Sequence, residues 1–295
     1  MTQRLILGTA QIGMAYGIAN RTGQPSAHKA REIVKTAWEE GITKFDTAQE
    51  YGESERLLGE SLDVLGVANE AKITTKLSPT IDLLDKAKVR QAVKKSLHKL
   101  KVSQIFCLML HREQQLDLLD KGLASCLRDL KDAGLIENIG ISVYSPTIAL
   151  RAIQSETINI LQVPTNILDQ RFEKAGVFQA AREKGKTIHI RSVFLQGLIL
   201  MEARDLPQYM AFAAPVIQKF EALGVKYEMT RTAMALTYIK LRYPECDVIF
   251  GAESPAQVRE NCRIWNSFAP GHFVKDALGM FSDVEERILN PTLWD

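Results

Sequence analysis

Eight times along the chain a short apolar run is followed by a longer stretch with helical spacing. That alternation limits the fold more than any other feature. The runs fall at residues 4–7, 42–46, 71–76, 105–110, 136–142, 158–163, 187–193 and 247–250. Residues 105–110 read I-F-C-L-M-L, apolar at every position, as a strand covered on both faces of a parallel sheet should be. Helical spacing follows at 27–40, 54–65, 83–100, 116–133, from Ser145-Pro146, at 171–184, at 213–223 with 230–242, and at 254–265. In the first of these Ala30, Ile33, Val34, Ala37 and Trp38 share one face, and Gly41 ends the helix. Repeated strand, crossover and parallel strand close most economically into a (β/α)8 barrel. An open doubly wound sheet would show a G-x-G-x-x-G turn after the first strand. Gly8-Thr9-Ala10-Gln11-Ile12-Gly13 lacks that spacing and leads into a long irregular loop over 11–26. No Gly/Pro-rich linker, internal repeat or low-complexity tract interrupts the series. The expected fold is α/β, one TIM-barrel domain over 1–295, with the active site at the C-terminal rim of the strands. Residues 266–295 form a helical tail, with one more helix expected over 282–289.

Composition narrows the class. At 295 residues, 46% apolar and 24% charged, the chain has the make-up of a globular protein with a large core. A net charge of +2 and no block of like charges give no footprint for nucleic acid. Cys107, Cys126, Cys246 and Cys262 are widely separated, which favours reduced thiols over disulfides or a zinc site. There is no signal-peptide pattern, and no apolar run approaches the roughly 18–20 residues that span a bilayer. The expectation is a soluble cytoplasmic protein, a monomer or small homo-oligomer, with no nucleic-acid or membrane partner.

Three consecutive strands end on one functional group each. Asp46 closes the second, Lys76 closes the third and His111 follows the fourth, while Tyr51 hangs from the loop after the second. Taken singly, each has an ordinary explanation: a solvated lysine, a hydrogen-bonded histidine, a Tyr-Gly turn. Together their chemistry is that of a proton-donating site. A free phenol, with a pKa of about 10, is a poor acid–base catalyst near neutrality. A neighbouring ammonium favours phenolate, and an aspartate fixes the ammonium in place. An imidazole can orient a carbonyl oxygen beside the phenol. No nucleophile–base dyad stands out, and no histidines and carboxylates have metal spacing, so no metal is expected and a metal-dependent barrel hydrolase lacks its ligands. Protonating a carbonyl oxygen without a metal needs an electron pair from elsewhere, and a reduced nicotinamide can supply it as hydride.

These residues lie in F-D-T-A-Q-E-Y-G-E-S-E, I-T-T-K and L-M-L-H, and with them the sequence resembles the aldo-keto reductases. The resemblance runs from Leu7-Gly8-Thr9 to Arg259-Glu260-Asn261. It implies a catalytic tetrad of Asp46, Tyr51, Lys76 and His111, reducing an aldehyde or ketone, sugars included. Tyr51 would be the general acid, Lys76 would depress its pKa, Asp46 would anchor Lys76, and His111 would direct the carbonyl. I-G-I-S-V-Y, with Gly140 and Ser142, resembles the segment that holds a nicotinamide carboxamide. Gln162 in L-Q-V is its implied partner on the next strand, and Asn166 completes a Q-x-x-x-N run. Gly8, Thr9, Asp46 and Ser192 are further implied contacts of the cofactor.

The stretch from Gly251 to Asn261 also reads physically as an anion-binding helix start. Ser254 suits the N-cap, Pro255 the first helical position, and Gln257 a capping box, although an ordinary capped helix explains the same residues. It resembles the family's G-A-x-S-x-x-Q-x-x-E-N adenosine-phosphate motif. That likeness carries Gly251, Glu253, Ser254, Gln257, Glu260 and Asn261 over as cofactor contacts. Three departures stand out. Val143 replaces a residue often polar, and Ser192-Val193-Phe194 replaces a frequent Ser-Pro-Leu run. Glu253 stands where a basic or hydroxyl residue often meets the 2′-phosphate. NADP(H) is therefore the cofactor implied first, with NAD(H) left open by Glu253. The rival reading is a cofactor-sensing regulatory protein on the same barrel. His111 argues against it, since sensing needs no complete tetrad. Met14, Tyr16, Phe194 and Trp294 are candidates to line the substrate pocket.

Overall fold

Each apolar run becomes a strand because it must be covered on two sides, by the barrel interior and by a helix. In the computed structural model, which describes residues 4–268 and 271–294, eight parallel strands form a closed barrel in sequence order. They are β1 (Leu5–Gly8), β2 (Lys44–Asp46), β3 (Lys72–Leu77), β4 (Ile105–Leu110), β5 (Ile136–Ser142), β6 (Ile160–Pro164), β7 (Thr187–Arg191) and β8 (Asp247–Gly251). The register aligns Gly8 with Asp46, Asp46 with Thr74, Lys76 with Met109, and Ser142 with Gln162. The groups expected to be functional thus share one rim.

Helices surround the barrel with their apolar faces inward. Ile33, Val34 and Ala37 of Ala27–Glu39, and Leu57, Leu58 and Leu62 of Ser54–Val64, are all buried against it. Each fully buried Ile, Val or Leu side chain among these contributes roughly 1.5–3 kcal/mol. The floor of the barrel is charged. Lys44 Nζ lies 2.6 Å from Asp247 Oδ2, and His189 Nε2 lies 3.7 Å from the same oxygen. Burial holds the His189 imidazole down to about 4 against the upward pull of Asp247, so it is neutral at pH 7.

Several boundaries differ from the sequence pattern, each for a local reason. The loop after β1 opens with one helical turn, Ala10–Gly13, anchored by buried Ile12. The helix expected over 83–100 begins at Lys86, because Asp85 Oδ1 accepts the N–H groups of Ala87 and Lys88. Residues 116–133 and 171–184 are not continuous helices; positive φ at Gly122 and Gly176 splits them. β7 stops at Arg191 rather than residue 193, since Ser192 takes a left-handed φ of 61°. The tail holds His272–Met280, with Phe273 and Ala277 buried, and only a single turn at Glu286–Leu289 where a longer helix was expected. Residues 269, 270 and 295 of that tail lie outside the described residues. The four cysteines are unpaired. Among the described residues, no helix is long and apolar enough to cross a membrane.

Candidate active site

The backbone of Asp46 is held from beneath by a chain of hydroxyl groups. Thr47 Oγ1 donates to Ser54 Oγ (2.9 Å), Ser54 Oγ lies 2.6 Å from Thr9 Oγ1, and Thr9 Oγ1 donates to the Asp46 carbonyl (2.8 Å). All four residues are buried, so this chain of polar contacts is shielded from water. The turn carrying Tyr51 leans on the helical turn after β1. A Cβ on Gly13 would lie 2.0 Å from the Tyr51 carbonyl oxygen, and one on Gly52, at φ 53°, would lie 2.4 Å from the Gly13 oxygen. Glu53 N–H donates to that same Gly13 oxygen at 3.1 Å. Only glycine permits this approach.

Lys76 points into the barrel mouth from β3 and is 1% exposed. Its Nζ lies 2.5 Å from Asp46 Oδ1 and 3.0 Å from the Thr47 carbonyl. The second Asp46 oxygen accepts from Gln162 Nε2 at 2.7 Å. Gln162, which the resemblance set beside a carboxamide, therefore also secures the carboxylate. Burial alone would pull the Lys76 ammonium down, but Asp46 and Tyr51 outweigh it and hold its pKa above the usual lysine value. The ammonium lies 5.0 Å from the centroid of the Tyr51 ring.

His111 meets Tyr51 edge to face, with ring centroids 5.9 Å apart and an interplanar angle of 81°. Burial, reinforced by the positive charges of Lys76, Arg112 and Arg191, pushes its pKa down to about 3. The imidazole is therefore neutral across the working range. Its Nδ1 is buried without a hydrogen-bond partner, and the nearest carboxylate oxygen, from Glu50, is 3.7 Å away. A neutral ring can donate one hydrogen bond to an oxygen but cannot act as the acid.

These groups open on a cleft of two lobes. Asp46, Tyr51 and His111 line the first, together with Gly8, Thr9, Ser142, Gln162, Ser192 and Gly251. Glu253, Gln257, Glu260 and Asn261 line the second. Gln11, Tyr16, Phe194, Gln196, Gly197 and Gly251 belong to both and join them. Ser254 lines neither lobe; its Oγ accepts from Gln257 N–H at 3.3 Å and caps Pro255–Asn266. The capping box differs from expectation, because Gln257 Oε1 accepts from Glu253 N–H (2.7 Å) instead of the cap residue. Asn166 stands behind the site, donating to the Ser192 carbonyl at 3.2 Å. Of the pocket candidates, Tyr16 and Phe194 line the cleft. Met14 points outward, and Trp294 is buried, with its Nε1 donating to the Arg287 carbonyl.

The pattern missed Arg112, Tyr144 and Arg191, all in the first lobe. The Arg191 guanidinium carbon sits 4.1 Å from the Tyr144 ring centroid, and Nη2 donates to the Val143 carbonyl (3.2 Å). Arg191 ends β7 just as Asp46 ends β2, but the apolar run over 187–193 set the expected strand end two residues later and hid it.

Comparison with known proteins bears on the family and the fold. The model of the Aldo/keto reductase family matches residues 4–270. The chain is 26% identical over 277 residues to aldo-keto reductase str7 of Strobilurus tenacellus, covering 86% of this chain and 81% of that protein. It is 25% identical over 259 residues to the NADH-specific methylglyoxal reductase of Escherichia coli strain K12, covering 77% and 79%. The solved holo form of aldo-keto reductase AKR11C1 from Bacillus halodurans shares the fold with a TM-score of 0.77 at 22% identity, over 97% of this chain and 95% of that one. With the family model spanning nearly all of this closed barrel, the chain belongs to the aldo/keto reductase family and is an NAD(P)H-dependent oxidoreductase.

Proposed function

We propose that the protein reduces an aldehyde or ketone, sugar-like carbonyls included, with Tyr51 as general acid. One observation carries this reading. A buried ammonium, held by a carboxylate at 2.5 Å, lies 5.0 Å from a phenol ring that opens on a cavity beside a neutral imidazole. The carbonyl oxygen lies between Tyr51 and His111. His111 donates a hydrogen bond to it and orients it. Tyr51 Oη delivers the proton, and the charge of Lys76 stabilises the phenolate as it forms. Asp46 keeps Lys76 in place, and the orientation of Asp46 is kept in turn by Gln162.

The two-lobed cleft suits a dinucleotide. Gly8, Thr9, Asp46, Ser142, Gln162 and Ser192 would hold its nicotinamide end. Gly251, Glu253, Gln257, Glu260 and Asn261 would hold the adenosine end, with Ser254 shaping the helix start and its N–H groups favouring phosphate. When bound, the reduced nicotinamide supplies the hydride that reaches the carbonyl carbon. NADPH is the cofactor we put first. Glu253 tempers that preference, since it lines the second lobe, where its carboxylate would repel a 2′-phosphate. The name of the Escherichia coli relative, an NADH-specific enzyme, accords with a cofactor choice that varies among related chains. The test is oxidation of NADPH and of NADH in the presence of a panel of aldehydes, ketones and sugars. Turnover with at least one is expected, and none with any would overturn the reading.

A further inference from the structure

The first lobe has an unusual charge balance. Its charged lining consists of Asp46, Arg112 and Arg191. Asp46 is already matched by Lys76 at 2.5 Å, which leaves two guanidinium groups facing the space around Tyr51 and His111. Among the described residues, neither donates a hydrogen bond to a carboxylate. Arg191 is held by the Val143 carbonyl, the Ser192 hydroxyl and the Tyr144 ring, and among the described residues no acid lies within ion-pair distance of it. Arg112 has only Glu50, whose Oε2 is 4.0 Å from Nη2 and beyond hydrogen-bond length. Its side chain is 51% exposed and free to turn, whereas Arg191 is clamped. Both charges are felt where the carbonyl would lie, because both help to keep the His111 imidazole unprotonated.

These two cations are not placed for the adenosine end of a dinucleotide. The second lobe contains neither. Arg112 and His111 line the same lobe, so a group bound by Arg112 can belong to the molecule whose carbonyl is held at His111. A guanidinium is a forked donor matched to carboxylate and phosphate oxygens. Resting on the carbonyl-reduction reading above, we propose that the substrate carries an anionic group, a carboxylate or a phosphate, a few bonds from its carbonyl. Arg112 receives that group, and Arg191 adds a fixed positive field.

The experiment compares kcat/KM of the NADPH-loaded or NADH-loaded enzyme for 4-oxobutanoate against butanal, and for glyceraldehyde 3-phosphate against glyceraldehyde. The first pair reads carboxylate and the second reads phosphate. Wild type should prefer at least one anionic member by tenfold or more, less so at high salt. In Arg112→Met the ratio of anionic to neutral kcat/KM should fall at least tenfold, and Arg112→Lys should recover part of it. A wild-type ratio near one in both pairs, or the same ratio in wild type and Arg112→Met, overturns the proposal while leaving carbonyl reduction intact. If no carbonyl is turned over, the carbonyl-reduction reading itself fails. Calorimetric binding of 4-hydroxybutanoate and of glycerol 3-phosphate to the cofactor-loaded protein then decides this one. Binding at least tenfold weaker in Arg112→Met supports it, and equal or absent binding overturns it.

Discussion

Replacing Lys76 by methionine keeps the length of the side chain and removes its charge, so the cost can be worked out from the contacts Lys76 makes. Its ammonium is 1% exposed and binds Asp46 Oδ1 and the Thr47 carbonyl. Without it the Asp46 carboxylate stays buried with Gln162 as its remaining side-chain donor. Removing one partner of a buried ion pair costs about 3–5 kcal/mol, most of it from the charge left behind. At roughly 2.1 cal/mol/K of unfolding entropy per residue, a chain of 295 residues should lose about 5–8 °C in Tm. Asp46→Leu should cost a similar amount for the mirror-image reason. The double variant Lys76→Met/Asp46→Leu should cost less than the sum, about 2–4 kcal/mol, because what remains is the Gln162 donor and the Thr47 carbonyl that Lys76 held, and no unpaired charge. Lys76 has a folded pKa raised above the ordinary value of about 10.4, so its contribution is complete below that pH and is lost only as pH rises through the folded value. Urea unfolding and Tm at pH 7 to 9 therefore read a constant effect. An additive double variant, 6 kcal/mol or worse, would refute the orphaned-charge reasoning, as would a Lys76→Met variant that loses under about 1 kcal/mol.

Three further outcomes are expected. Tyr51→Phe should lower kcat by roughly 10²–10⁴ while cofactor affinity, measured by fluorescence titration, stays within about twofold; retained kcat would remove Tyr51 from its role. Glu253→Ser should tighten NADPH binding and barely alter NADH binding. Like charges about 4 Å apart cost on the order of 4 kcal/mol at a surface-like dielectric, and a Glu free to turn towards solvent realises only part of that; equal NADPH affinities would mean the side chain faces away. The folded pKa of His111, near 3, lies below the ordinary value of about 6.5, so the fold favours neutral imidazole. Its contribution to stability is complete above pH 6.5 and is lost as pH falls towards 3, at up to about 1.4 kcal/mol per pH unit. His111→Asn should flatten the acid side of a urea-stability series at pH 7, 6 and 5, and an unchanged slope would contradict the assignment.

The tetrad was legible because each member ends a strand or hangs from the following loop, where period and sequence position alone fix its place. The barrel was legible from the eight apolar runs that alternate with helical spacing, which the eight strands bear out. What escaped depends on partners far away in sequence. Arg191 is distinguished by lying over Tyr144, 47 positions earlier, and local sequence shows only an arginine after an apolar run. Gln162 reaches Asp46 across the barrel mouth, a contact no neighbour along the chain announces. Helix continuity failed at Gly122 and Gly176 because spacing of apolar residues survives a turn that backbone geometry does not.

The close approach of Gly13 to Tyr51 and Gly52 sets a rule for anyone redesigning this protein. The loop after β1 brings Tyr16 to the cleft and is a natural place to graft new recognition. Its first turn, however, is a bearing surface for the phenol, and a single methyl group there displaces the backbone of Tyr51. The far end of the same loop is different: a Cβ on Gly23 would meet nothing within 4 Å, though the positive φ there (72°) limits which side chains fit. Insertions should be spliced near Gly23, where there is open space around the chain, and kept away from Gly13, where Tyr51 takes its bearing.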